Sequence, residues 1–131
     1  MKNLKNIEWV LRIGVFGEFL GHGILALQGK EGWVGWIMQF GVSDPAYASD
    51  LLYLIGLVDI ILAFLVLLRP IRSALLWMTL WGFWTAALRP IVGESIWDFV
   101  ERSANWAAPL ALFLLLPGTQ NVRDFFCSNK K

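Results

Sequence analysis

Residues 50–68 read DLLYLIGLVDIILAFLVLL, a stretch in which Asp59 is the one charge behind the leading Asp50. A helix needs about 20 mostly apolar residues to cross the hydrocarbon core of a bilayer, and this run is built to do so. Three more segments have nearly the same character: residues 9–28, 71–88 and 99–116. The chain is 57% hydrophobic over 131 residues, against roughly 45–50% for soluble domains, so one domain suited to lipid is expected. Mean hydropathy is +0.59. The reading is an all-α integral membrane protein, a single domain over 1–131 forming an antiparallel bundle of four transmembrane helices.

Charge supplies an orientation. The basic turn Arg69-Pro70-Ile71-Arg72 falls between the second and third segments, and Lys2, Lys5, Arg12, Arg123, Lys130 and Lys131 flank the termini. Under the positive-inside rule these faces are cytoplasmic, which places both termini inside and the chain in the cell inner membrane. The opposite loops carry Lys30, Glu31, Asp44 and Asp50 in one, and Arg89, Glu94, Asp98, Glu101 and Arg102 around the other. Within the first outer loop, Trp33, Trp36, Ile37 and Phe40 recur at helical spacing. They predict a short interfacial helix over about 32–40, a lid across the outer end. Breakers fall at the boundaries: Asp44-Pro45 turns into the second segment, Pro70 precedes the third and Pro117-Gly118 follows the fourth.

Composition excludes some functions. The net charge of +1 provides no basic field for nucleic acid. The single cysteine, Cys127, cannot form an internal disulfide, a cysteine metal cluster or a CxxC redox centre. Arg12, Glu18 and His22 interrupt the first segment, so it reads as a retained span and not a signal peptide.

Residues that could carry chemistry lie inside the segments. Gly14, Glu18 and His22 follow at four-residue steps and share a helix face with Gly21 alongside, where small residues let a neighbour approach. A carboxylate at mid-span costs about 2.5–3.5 kcal/mol on insertion scales, so Glu18 must pair, protonate or face a polar cavity. Antiparallel crossing sets Asp59 at about the same depth. Glu18, His22 and Asp59 therefore form a candidate proton-handling group, with Arg12, Arg89 or Arg102 as possible counter-charges. As metal ligands the same three are a weak set: Glu18 and His22 supply two ligands at most, and four-coordinate zinc needs Asp59 and Glu101 or water besides. An axial His22 on haem is disfavoured likewise, and a hydrogen-bonded or proton-handling His22 is preferred.

Trp77, Trp81, Trp84 and Leu88 form a stripe in the third segment, read either as core packing or as an aromatic wall for a flat, lipophilic ligand. At the outer start of the fourth, Glu101 and Asn105 share one face while Arg102 and Trp106, four apart, suit a cation–π pair. The structural alternative pairs Glu101 with Arg102 of a neighbouring copy or with Arg89 across the loop. On the ligand-binding reading, Trp77, Trp81, Trp84, Arg89, Glu101, Arg102, Asn105 and Trp106 surround the molecule.

The order Arg12, Gly14, Phe16, Gly21, His22, Gly23, together with Gly56-Leu57-Val58-Asp59 and the final Pro-Gly stop, resembles the DoxX-like family of small bacterial membrane proteins. That family tends to carry a buried acid in its second helix, and Asp stands here where Glu is usual. Relatives include a membrane subunit of thiosulfate:quinone oxidoreductases and small partners of redox or stress-response enzymes. The resemblance implies membrane-side redox support; set beside the tryptophan stripe and Glu18, His22 and Asp59, it makes the leading reading a subunit that holds a lipophile, a quinone among the candidates, next to a redox partner that supplies the electrons. With no cysteine chemistry to offer, the chain is at most part of a membrane oxidoreductase. Two other classes fit the same residues: a proton- or cation-conducting transporter or channel acting as a homo-oligomer, and an isomerase of a sterol-like or isoprenoid substrate.

Overall fold

The computed structural model describes residues 2–118 and 125–127, so Arg123, Lys130 and Lys131, three of the charges flanking the termini, lie outside the described residues. The fold is all-α. In chain order α1 (Lys2–Leu27), α2 (Glu31–Gln39), α3 (Pro45–Leu68), α4 (Arg72–Ile91), α5 (Ile96–Val100) and α6 (Ser103–Leu115) follow one another through short turns.

Local chemistry sets these boundaries. Asp44 caps α3, its Oδ1 accepting from the Ala46 N–H at 3.0 Å with Pro45 at the first helical position. Ser95 and Asp98 form a reciprocal capping box that starts α5. The single helix expected over 99–116 is thus divided: α5 ends at Val100, and α6 begins only after the turn at Glu101 and Arg102. α1 starts near the N-terminus, well before Trp9, and carries a Glu8–Arg12 ion pair one turn apart.

α1 and α3 pack antiparallel, with Phe16 edge-on to Phe64 at 5.3 Å and Gly23 against Gly56 and Ile60. α4 and α6 form a second antiparallel pair, Gly82 lying on the backbone of Asn105 and Arg72 reaching Phe113. The glycines that allow close approach are therefore Gly23, Gly56 and Gly82. A side chain added at Gly14, Gly17 or Gly21 would meet nothing within 4 Å, which corrects the expectation that Gly14 and Gly21 serve as the packing surface. Arg72 fastens the far end of the second pair: its Nη1 donates to the carbonyls of Phe113 and Leu116, both at 2.9 Å, while the guanidinium covers the Phe113 ring at 4.0 Å. These carbonyls belong to the C-terminal end of α6, where a cation is favoured by the helix dipole.

The two pairs join through α1 and α6. Val15 and Phe19, Ala63 and Val66, Leu75 and Met78, and Leu112 make one buried cluster where the four long helices meet. α3 and α4 touch each other far less than α1 and α3 do. The bundle is thus closed on the side of the Arg69–Arg72 turn and split between α3 and α4 toward the other end.

Two helical stretches, Asn3–Leu27 and Pro45–Leu68, are long and apolar enough to cross a membrane. The other two expected spans do not reach that standard among the described residues. α6 has 13 residues, about 20 Å at 1.5 Å per residue, against roughly 30 Å of hydrocarbon. α4 is longer but carries Arg72 and Arg89.

Candidate functional site

The split between α3 and α4 holds a cavity of about 380 Å³. Leu52, Ile55 and Asp59 face it from α3, Trp81, Trp84, Thr85, Leu88 and Arg89 from α4, and Trp33, Trp36, Ile37 and Phe40 from α2. His22 of α1, Val42 of the turn before α3 and Arg102, ahead of α6, complete the wall. A second cavity of about 350 Å³ adjoins it along the same split, sharing Ile37, Ile55, Asp59 and Trp81 and adding Leu54, Val58 and Trp77.

α2 covers the opening through its aromatic face. Trp33 lies edge-on to His22 at 5.4 Å, Phe40 reaches Trp84 of α4 at 6.2 Å, and Trp36 lies under the Arg89 guanidinium at 5.2 Å. Lys30 sits over the ring of Trp33 at 4.7 Å. Ring contacts to α1 and α4, with packing along α3, therefore hold α2 across the gap. Such ring pairs contribute about 0.5–1.5 kcal/mol each beyond their area.

The deep wall is polar at one point. Asp59 is 3% exposed, with the Trp81 indole beside its carboxylate. Burying a carboxylate is unfavourable unless polar partners are at hand, and the indole N–H of Trp81 is one such group. Arg89 is 8% exposed, with Nη1 donating to Glu94 Oε2 at 2.9 Å. The expected Arg89–Glu101 pair does not form. Glu101 instead lies 3.7 Å from Arg102 Nε, and its own side chain is largely exposed.

Of the three residues read as proton-handling, the structure brings together two pairs in different ways. His22 Nε2 lies 3.2 Å from Glu18 Oε1, and His22 shares the cavity wall with Asp59. Glu18 does not line the cavity. Because Gly23 faces Gly56 and Ile60, Asp59 is level with His22, one turn nearer the C-terminal end of α1 than Glu18, and not with Glu18 as the sequence suggested. No group of three or more His, Cys, Asp or Glu among the described residues is placed to hold a metal ion, so the weak ligand set Glu18, His22 and Asp59 is not assembled.

Trp81, Trp84, Arg89 and Arg102 reach the first cavity, and Trp77 and Trp81 the second. Glu101, Asn105 and Trp106 reach neither. Trp106 packs edge-on against Phe83 at 5.7 Å and belongs to the α4–α6 contact, in place of the cation–π pair with Arg102. The residues that spacing missed are Leu52 and Ile55, which lie seven and four positions before Asp59 on its own helix face, and Thr85, four positions after Trp81; Leu88, read in the tryptophan stripe, lines the cavity with it. The chain matches no protein-family model, no curated protein and no solved structure.

Proposed function

We propose that this chain is an integral membrane protein in which α1, α3, α4 and the α5–α6 unit cross the bilayer, with both termini cytoplasmic, and that it holds a lipophilic molecule in the cavity between α3 and α4. The membrane reading is supported by the outward apolar face of α3, where Tyr53, Leu54, Leu57, Val58, Ile61, Phe64 and Leu68 are exposed. Contiguous apolar surface on that scale marks contact with lipid or a partner. α5 and α6 together, from Ile96 to Leu115, restore the length that α6 alone lacks.

The observation that carries the ligand reading is the cavity itself. Its volume of about 380 Å³ falls within the roughly 300–1,000 Å³ of small-molecule sites, and tryptophans on α2 and α4 line its flat sides. A quinone is one molecule of this kind, and its presence agrees with the resemblance to DoxX-like redox subunits. The chain's donors at Arg89 and Arg102 suit carbonyl oxygens. When bound, a quinone supplies the capacity to accept electrons from a partner protein. This chain's own residues position the ring, exclude water beneath α2, and hold exchangeable protons at His22 and Asp59.

The test is purification in mild detergent followed by solvent extraction and mass spectrometry. A lipophile recovered near one per chain, and lost in Trp84→Ala, supports the pocket. A chain with no extractable molecule that also leaves added decylubiquinone unbound refutes it. The Glu18–His22 pair, with Glu18 outside the cavity wall, favours a second reading in which a homo-oligomer moves protons or cations. Proteoliposomes whose internal pH follows the external pH, unless Glu18→Gln is introduced, would support that reading.

A further inference from the structure

Both arginines on the wall of the larger cavity are at the same end. Arg89 is near the C-terminus of α4 and Arg102 lies in the turn before α6, while His22 stands deeper, level with Asp59. From Trp81 to Arg89 along α4 is about 12 Å at 1.5 Å per residue, so the arginine end is well separated from Asp59, which lies beside Trp81. Asp59 is the one acid on the wall.

The acids that accompany the cations stand off the cavity. Glu94 holds Nη1 of Arg89 from the outside and Glu101 lies 3.7 Å from Arg102, beyond hydrogen-bonding reach. Neither lines the cavity. The Nε–H groups of Arg89 and Arg102 are both buried, and neither has an acceptor among the described residues. Arg89 as a whole is 8% exposed, so a donor there that lacks an acceptor is unfavourable. A guanidinium presents a planar fork matched to the oxygens of a carboxylate or phosphate. Apart from Thr85 and His22, the remainder of the wall is apolar or aromatic down to Asp59 and Trp81.

We infer that the molecule held here is an acidic amphiphile, its oxyanion head between Arg89 and Arg102 and its apolar body lying along Trp36, Trp84 and Ile55. The inference rests on the pocket reading above and narrows its ligand from lipophiles in general to those bearing one negative head.

Two probes of nearly equal shape separate the two statements: 9,10-dibromostearate and its neutral methyl ester. Both quench tryptophan on contact, and the saturable component of quenching is followed with the full chain in nanodiscs. The acid is expected to bind about tenfold more tightly than the ester, the scale of one charge-assisted hydrogen bond. Arg102→Gln should weaken the acid far more than the ester and so remove most of that preference. Because Arg89 is buried, Arg89→Lys serves beside it: the charge stays, the fork is lost, and the preference should fall by several-fold. Helicity and elution volume confirm that each variant is folded. Equal binding of acid and ester, or a preference untouched in both variants, overturns the acidic head and leaves the pocket standing. Saturable binding of neither probe overturns the pocket itself, and the acidic head with it.

Discussion

Gly23 of α1 and Gly56 of α3 lie against each other so closely that a methyl group on either would come within 2.8 Å of the other's carbonyl oxygen. Such a distance cannot be absorbed by a side-chain rotation, because the obstacle is backbone on both sides. Gly23→Ala and Gly56→Ala should each destabilise the chain by about 1–3 kcal/mol, the usual cost of overpacking. Gly14→Ala should act with the opposite sign, because it meets nothing within 4 Å and gains up to about 1 kcal/mol of helix propensity. Unfolding in mixed micelles, followed by circular dichroism, measures all three. A neutral Gly23→Ala would mean that the two helices cross with more room between them.

Arg72 links the start of α4 to the last turn of α6 through carbonyls at Phe113 and Leu116. Arg72→Met keeps much of the apolar stem and removes the donors. It should cost about 1–3 kcal/mol, the range for hydrogen bonds involving a charged group. Arg72→Lys should fall between, because an ammonium cannot reproduce the fork. Hydrogen exchange at the C-terminal end of α6 should rise in both variants, and unchanged protection there would remove the capping role.

The Trp81 indole beside the buried Asp59 carboxylate makes a prediction about pairs. Trp81→Phe removes the N–H next to that carboxylate, at a cost of about 1–3 kcal/mol. In an Asp59→Leu background the same change should cost less than half as much, because no carboxylate is left to satisfy. A double-mutant cycle on thermal unfolding reads the coupling. Additive costs would show that the two residues act separately.

Membrane orientation is open to chemical labelling in a Cys127→Ser background. Ser95 and Asn3 are both exposed and belong to opposite ends of the bundle. An impermeant maleimide applied to intact cells should label Ser95→Cys fully and Asn3→Cys only after lysis. The reverse pattern would invert the topology drawn from the basic turn at Arg69 and Arg72.

The helices and the lid were legible in the sequence because each depends on local pattern. The run at residues 50–68 needs no partner to be recognised, and the spacing of Trp33, Trp36, Ile37 and Phe40 already describes the face that α2 turns toward the cavity. The capping box at Ser95 and Asp98 was equally present and marks the start of α5. What spacing could not give was the partnering of helices. Glu101, Asn105 and Trp106 share a neighbourhood with Arg102 in the chain, yet the contact of Gly82 with Asn105 turns Trp106 toward Phe83 and away from the cavity. The position of Asp59 relative to Glu18 and His22 likewise depends on where α1 and α3 cross, and the Gly23–Gly56 contact fixes that crossing. Arg89 pairs with Glu94, five residues on, through the turn after α4, an association that helical periodicity does not describe.

The smaller cavity opens along the side of the bundle, where Leu54, Val58 and Trp77 border the split between α3 and α4, three residues that are exposed. In a bilayer that flank meets acyl chains, so a molecule arriving at Trp81 by this path leaves the membrane phase without crossing water. Occupancy then follows the ligand's mole fraction in the lipid: diluting the membrane with more lipid lowers it even when the total amount of ligand is fixed. Dissociation constants quoted against aqueous concentration would rank candidate molecules by how strongly they partition. Comparison at equal mole fraction ranks them by how well they fit.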